Sequence, residues 1–223
     1  MDLADVWPPF GLRLRTPRLT LRVVRDEDLP HLAAAVADGI HDPTVMPFRT
    51  PWTDRAPDVA PTLLAQYHWS LRARFAPEDW EFAFAVLHDG VPIGTQHVAA
   101  QRFAELRSVE TGSWLSRRFH GRGIGTEMRS AVLTFAFDQL GAEWATSAAA
   151  EWNASSNGVS RALGYRENGV ERIVTRPGVV ENMVRLRMPA QDFVRSPWRL
   201  ETSGVEAVRD YLGLSESPTA PRS

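Results

Sequence analysis

One segment restricts the possible folds of this chain more than any other. Residues 118–126 read Arg-Phe-His-Gly-Arg-Gly-Ile-Gly-Thr, and they join a strand-like run, 108–115, to an amphipathic run, 126–140. In the second run Met128, Val132, Phe135 and Ala136 share one helical face, and Gly141 supplies the stop. Glycines at 121, 123 and 125 let the backbone approach a ligand closely and turn its N–H groups inward. The helix that follows adds unpaired amides and the positive end of its dipole. Such a strand–turn–helix is an anion site suited to a pyrophosphate, and Arg117, Arg118 and Arg122 add charge to it.

Three phosphate-binding turns compete for the segment. A P-loop requires Gly-Lys-Ser/Thr, and the chain has no lysine: its 25 basic residues are all arginine. A dinucleotide fingerprint requires G-x-G-x-x-G early in a βαβ unit, with an acidic residue on the next strand. Here the glycines fall as G-x-G-x-G after antiparallel-looking strands. The third turn, R/Q-x-x-G-x-G/A, holds the pyrophosphate of coenzyme A, and Arg118, Gly121 and Gly123 fit it as they stand. The structural alternative is a glycine-rich turn with solvated arginines.

Composition removes further chemistries. The chain has no cysteine, which excludes a disulfide framework, a thiolate nucleophile and a cysteine zinc site. Without lysine there is no Schiff base and no lysine general base. The six histidines show no metal-ligand spacing, so no metal is expected. A net charge of −2 argues against a nucleic-acid binder. No apolar run approaches the roughly 20 residues that span a bilayer, so no membrane is expected. The start, Met1-Asp2-Leu3-Ala4-Asp5, lacks the basic-then-apolar order of a signal peptide, and a cytoplasmic location is expected.

The pattern along the chain predicts an α/β or α+β fold, a mixed and mostly antiparallel sheet covered by helices. Strands are expected over 12–24, 81–87, 91–100, 108–115, 143–150, 166–176 and 179–188, with a hairpin turn at His88-Asp89-Gly90. Helices are expected from Asp26 or Asp28 to about Ala37, then over 58–75, 126–140 and 155–163. Residues 40–61, rich in proline and aromatics, read as an ordered loop. The length of 223 residues suits one domain over 1–195 with an extension over 196–223. A short strand and helix are expected near 198–208, and a frayed end from Ser215.

Several ordered motifs surround the turn. They are Arg15-Thr16-Pro17-Arg18-Leu19-Thr20-Leu21-Arg22, Gly94 after the hairpin, Val109-Glu110-Thr111-Gly112-Ser113-Trp114-Leu115, Thr126-Glu127-Met128, Asn153-Ala154-Ser155-Ser156-Asn157 and Ala162-Leu163-Gly164-Tyr165. Together with the turn they resemble the GNAT superfamily of acyl-CoA N-acyltransferases, in its RimJ/RimL-type branch, from about Leu14 to about Met188. The resemblance implies a twisted sheet whose central strands, 108–115 and 143–150, splay apart to admit acyl-CoA. It implies that Trp114, Leu115 and Ser116 pair with pantetheine, as an added strand would. By the same resemblance His120, Gly121, Arg122, Gly123, Ile124, Gly125 and Thr126 cradle the pyrophosphate beside Arg118. Asn153, and more weakly Asn157, contact the pantetheine arm, and Arg161 approaches the adenosine phosphates. His41, Phe48, Trp52 and Trp80 are candidates for the acceptor pocket.

The implied reaction moves an acyl group directly from a thioester to a primary amine in a ternary complex, which suits a chain without cysteine. An amine of pKa near 10 is only about one part in a thousand neutral at pH 7, so a base or water relay is useful. Glu110 occupies the family position for that role. Ser156 occupies the position that gives a proton or hydrogen bond to the departing thiolate, although Ser155, Ser156 and Asn157 also suit a helix N-terminus. Acetyl is the default acyl group, and succinyl is the alternative that an arginine-only basic set favours. Ser113 departs from the family pattern, in which an aromatic is common after the glycine. The acceptor is a small-molecule amine or a protein amine, including a protein N-terminal α-amine. A non-catalytic acyl-CoA sensor on the same fold is the competing class. A homodimer is expected, with the 188–212 segment as a candidate interface.

Overall fold

A computed structural model describes residues 1–214 of the chain. The frayed end expected from Ser215 lies outside the described residues.

Period-two patterning builds the central sheet. In chain order, the elements run α1 (Leu3–Val6), β1 (Arg13–Arg15), β2 (Leu19–Val23), α2 (Leu29–Ala37), α3 (Ala60–Ala73), β3 (Asp79–His88) and β4 (Val91–Gln101). They continue with α4 (Phe103–Leu106), β5 (Ser108–Leu115), α5 (Ile124–Thr134), β6 (Trp144–Ala150) and α6 (Ala154–Ala162). The last are β7 (Arg166–Arg176), β8 (Val179–Pro189), β9 (Glu201–Ser203) and α7 (Val205–Tyr211). One nine-stranded sheet has the order β7-β8-β6-β5-β4-β3-β2-β1-β9. Among the described residues only β5 and β6 run parallel, and every other neighbouring pair is antiparallel.

Alternation along β3 sorts the core into two layers. Trp80, Phe82, Phe84 and Val86 belong to the larger cluster, with Phe135 and the apolar face of α5. Ala83, Ala85 and Leu87 turn the other way, against Leu32 of α2 and Leu64 and Leu71 of α3. The long helix expected over 126–140 is α5 continued by a π-helical turn at Phe135–Leu140, and Gly141 ends it at φ +76°.

The strand expected over 12–24 is a hairpin. Pro17 has no N–H to give a ladder, and the Thr16 N–H turns back to the Leu19 carbonyl at 3.0 Å. Arg13, Leu14 and Arg15 therefore pair with Arg22, Leu21 and Thr20. The segment expected as an appended extension completes the same sheet. Residues Glu201–Ser203 pair with β1, and Val205, Val208, Leu212 and Leu214 enter the main core. Among the described residues, no helix is long and apolar enough to cross a membrane.

The feature that positions the site is a tear between β5 and β6. Their parallel register covers only Ser108↔Trp144, Val109↔Ala145 and Glu110↔Thr146. Beyond that point β5 stays with β4 as far as Gly94↔Leu115, while β6 stays with β8 as far as Ala150↔Met183. The two strands thus follow different neighbours and diverge. Gly94 permits the close approach of β4 to β5: a Cβ there would lie 2.4 Å from the Trp114 carbonyl oxygen.

Candidate active site

The tear opens into a cavity of about 730 Å³ lined by residues 110–115 of β5, 147–149 of β6, the glycine turn and the first turns of α5 and α6. Two strand edges facing a gap carry backbone groups that need partners. Near the apex the chain supplies some itself. The Ser147 hydroxyl donates to the Thr111 carbonyl at 2.9 Å, and the Thr111 hydroxyl lies 3.0 Å from the Tyr165 hydroxyl. Burial pushes the Tyr165 phenol up to about 12, so it stays protonated.

The glycine turn sits at the mouth of the gap. Gly121 and Gly123 have φ of +72° and +75°, a backbone that side chains with a Cβ rarely adopt. The turn is held from the β1–β2 hairpin. The Glu127 carboxylate accepts from the Thr16 hydroxyl at 2.6 Å, the Arg18 amide at 3.1 Å and Arg18 Nε at 2.6 Å. Arg18 Nη1 then donates to the Arg122 carbonyl at 3.0 Å. This buckle was not foreseen from the sequence. Its only signal there is that both arms fall in family-like motifs more than 100 residues apart.

Glu110 stands at the apex, exposed, in the last pair before the strands part. It also lines a second depression of about 480 Å³ with Glu81, Ala99 and Thr146, so it reaches both spaces. Asn153 caps α6, its Oδ1 accepting from the Ser156 N–H at 3.0 Å, and both residues line the cavity. His120 Nε2 lies 2.8 Å from the Leu115 carbonyl, which ties the turn to the end of β5.

The proline- and aromatic-rich loop forms the roof. His41 and Phe48 line the cavity, and Trp52 stands behind, with ring centroids 5.1 Å from Phe48 and 6.1 Å from Trp114. His41 is spent on its own loop, at 2.7 Å from both the Asp42 carbonyl and the Thr53 hydroxyl. Arginines fasten the loop to the β7–β8 hairpin, Arg49 on Glu171 and Arg176 bidentate on Asp54.

The cavity therefore gathers Glu110, Trp114, Leu115, His120, Gly121, Gly123, Gly125, Thr126, Asn153, Ser156, His41 and Phe48. Other candidates lie elsewhere. Asn157 is buried on the inner face of α6 and donates to the Ala150 carbonyl at 3.0 Å, so it pins the β6–α6 turn. Arg161 faces solvent and pairs with Glu167 at 3.4 Å. Trp80 is 1% exposed between Phe82 and Phe103, and it borders the second depression rather than the main cavity. Ser116 is buried and its N–H donates to the Ile93 carbonyl at 2.9 Å, and the Ile124 side chain is buried in the core. Arg118 pairs with Asp38, and Arg122 lies over the Phe119 ring at 5.7 Å, both beside the turn.

Arg129 was missed. It projects from α5 to the cavity wall, buried, with its guanidinium on the hydroxyls of Ser113 and Ser160. Burial lowers its pKa.

Solved structures share this fold. Mycobacterium smegmatis RimJ in complex with CoA-disulfide superposes with a TM-score of 0.69 at 21% identity, over 92% of this chain and 95% of that one. RimL, a ribosomal L7/L12 alpha-N-protein acetyltransferase in complex with coenzyme A, gives 0.64 at 15% identity, over 78% and 95%. In sequence, YdaF of Bacillus subtilis (strain 168), named as a proposed ribosomal N-acetyltransferase, is 33% identical over 66 residues. That stretch is 30% of this chain and 36% of YdaF, so the match spans about a third of the relative. The profile of the Acetyltransferase (GNAT) domain matches residues 18–166, which include β2, the torn strands, the turn and both helices that border the gap. A match over that much of the chain, on a sheet torn at this place, makes the protein a member of the GNAT acetyltransferase family.

Proposed function

We propose that this protein is an acyl-CoA-dependent N-acyltransferase that transfers an acyl group directly to a primary amine. The observation that carries the reading is the tear between β5 and β6, with the glycine turn at its mouth and Glu110 at its apex. The turn and the N-terminus of α5 offer amides to a pyrophosphate, and Arg117 on the cavity wall adds positive charge. The open edges of β5 and β6 suit a pantetheine arm that pairs as an extra strand, with Asn153 beside it.

In the transfer, the amine nitrogen bonds to the thioester carbonyl carbon, the carbon–sulfur bond breaks, and the proton lost by nitrogen ends on the CoA thiol. Glu110, open to both depressions, receives the amine proton directly or through water. The Ser156 hydroxyl at the first turn of α6 stabilises the departing thiolate. The donor is acetyl-CoA or an acyl-CoA with a longer chain. Relatives named for ribosomal substrates favour a protein amine as acceptor over a free small amine.

Release of free CoA from acyl-CoA with a panel of amines and N-terminal peptides tests the reading. Amine-dependent release is expected, with Glu110→Gln lowering kcat by about 10²-fold while the Kd for CoA stays within about twofold. Tight CoA binding without turnover on any amine contradicts catalysis and favours a sensor.

A further inference from the structure

Two buried arginines in this chain are treated differently. Arg22 has both Nη atoms on Asp28, at 2.7 and 2.9 Å, and Glu27 at 3.0 Å. Arg129 is equally enclosed, at 5% exposure, yet no carboxylate among the described residues pairs with it. Nη1 donates to the Ser160 hydroxyl at 2.8 Å and Nη2 to the Ser113 hydroxyl at 3.2 Å. Nε is buried with no partner at all. The titratable group facing it is the protonated Tyr165 phenol. Two hydroxyl dipoles do not neutralise a guanidinium, which keeps its charge even when buried.

Its place in the cleft says what kind of group is missing. Arg129 lies five residues beyond Ile124, about 7.5 Å further along the helix than the amides that face a pyrophosphate. It meets Ser113 halfway along the open edge of β5, and Ser160, whose hydroxyl donates to the Ser156 carbonyl at 3.1 Å. In the function proposed above, this stretch of the cleft holds the pantetheine arm and the thioester, which carry no charge. An acetyl group brings none either. The small side chain of Ser113 leaves room beside the guanidinium.

We propose that the acyl donor is a CoA thioester whose acyl chain ends in a carboxylate, of the malonyl or succinyl kind, and that Arg129 binds that carboxylate. The inference rests on the acyltransferase reading and adds the donor class and its specificity residue. The planar guanidinium fork suits a carboxylate, and Ser113 and Ser160 hold it in place. Transfer then turns a cationic amine into an amide bearing a free carboxylate, a change of two charges at the acceptor.

Succinyl-CoA and butyryl-CoA form a matched probe pair: four acyl carbons each, one ending in a carboxylate and the other in a methyl. Calorimetry on the full chain is expected to give measurable binding of CoA itself, with succinyl-CoA at least about tenfold tighter than butyryl-CoA. Arg129→Met is expected to bring that ratio close to one, and Arg129→Lys to restore part of it. The ratio of kcat/KM for the two donors should fall in parallel. Equal affinity for the two thioesters in the wild type overturns the inference but leaves the acyltransferase reading intact. An Arg129→Met variant that weakens both donors alike also overturns it, making Arg129 a brace between α5, β5 and α6. Failure of CoA itself to bind overturns both readings. Should Arg129→Met not fold, the wild-type ratio and Arg129→Lys decide the matter alone.

Discussion

Asp28 and His68 are buried ionisable side chains with opposite fates. Asp28 accepts from Arg22 twice and from the Arg25 amide at 2.8 Å, so its charge is fully answered. Asp28→Ala strands a buried guanidinium and is expected to cost about 3–5 kcal/mol in urea unfolding. His68 is 3% exposed, and neither ring nitrogen has a partner. Burial, with His97 and Arg72 nearby, pushes its pKa down to about 3. The unfolded chain takes up a proton near pH 6.5 that the folded chain refuses until about pH 3, so stability is lost as pH falls through that window. Between pH 6.5 and 5 the loss is about 2 kcal/mol, and His68→Phe should remove it, as urea midpoints at the two pH values would show. Such residues were illegible in the sequence because burial is set by neighbours far along the chain. The burial of Trp80 and Asn157 was illegible for the same reason. The glycine turn was legible because φ of +72° and +75° is a local demand that glycine meets most readily.

At the scale of elements, the divergence of β5 from β6 depends on which partner each strand keeps. Helical and strand periods located 108–115 and 144–150 closely, since each is a local pattern. Which strands are neighbours, and where a ladder stops, is a long-range property that the resemblance supplied and the residues alone did not. Gly94 is the local trace of it. Gly94→Ala places a Cβ against the Trp114 carbonyl and should push β4 away from β5. The expected cost is about 1–3 kcal/mol in thermal unfolding, with weaker CoA binding because the same strand borders the gap. The β1–β2 hairpin has a local trace in the sequence: the apolar positions shift from Leu12 and Leu14 to Leu19, Leu21 and Val23 across Thr16-Pro17-Arg18, and proline cannot sustain the ladder.

For the whole molecule, one side of the torn sheet is closed by strands drawn from both ends of the chain. β9 pairs with β1, and Gly204, at φ +74°, turns α7 onto the core against the Gly11 carbonyl. Truncation after Arg195 removes Val205, Val208, Leu212 and Leu214 from the core, and a loss of several kcal/mol of stability should appear as a lower Tm. The central claim is that acyl-CoA fills the gap between β5 and β6. Hydrogen exchange with and without saturating CoA tests it directly. Slowed exchange should appear across residues 111–115, 121–126 and 147–150, with β7, β9 and α7 unchanged. Slowing confined to other elements, or none at saturation, would contradict the account.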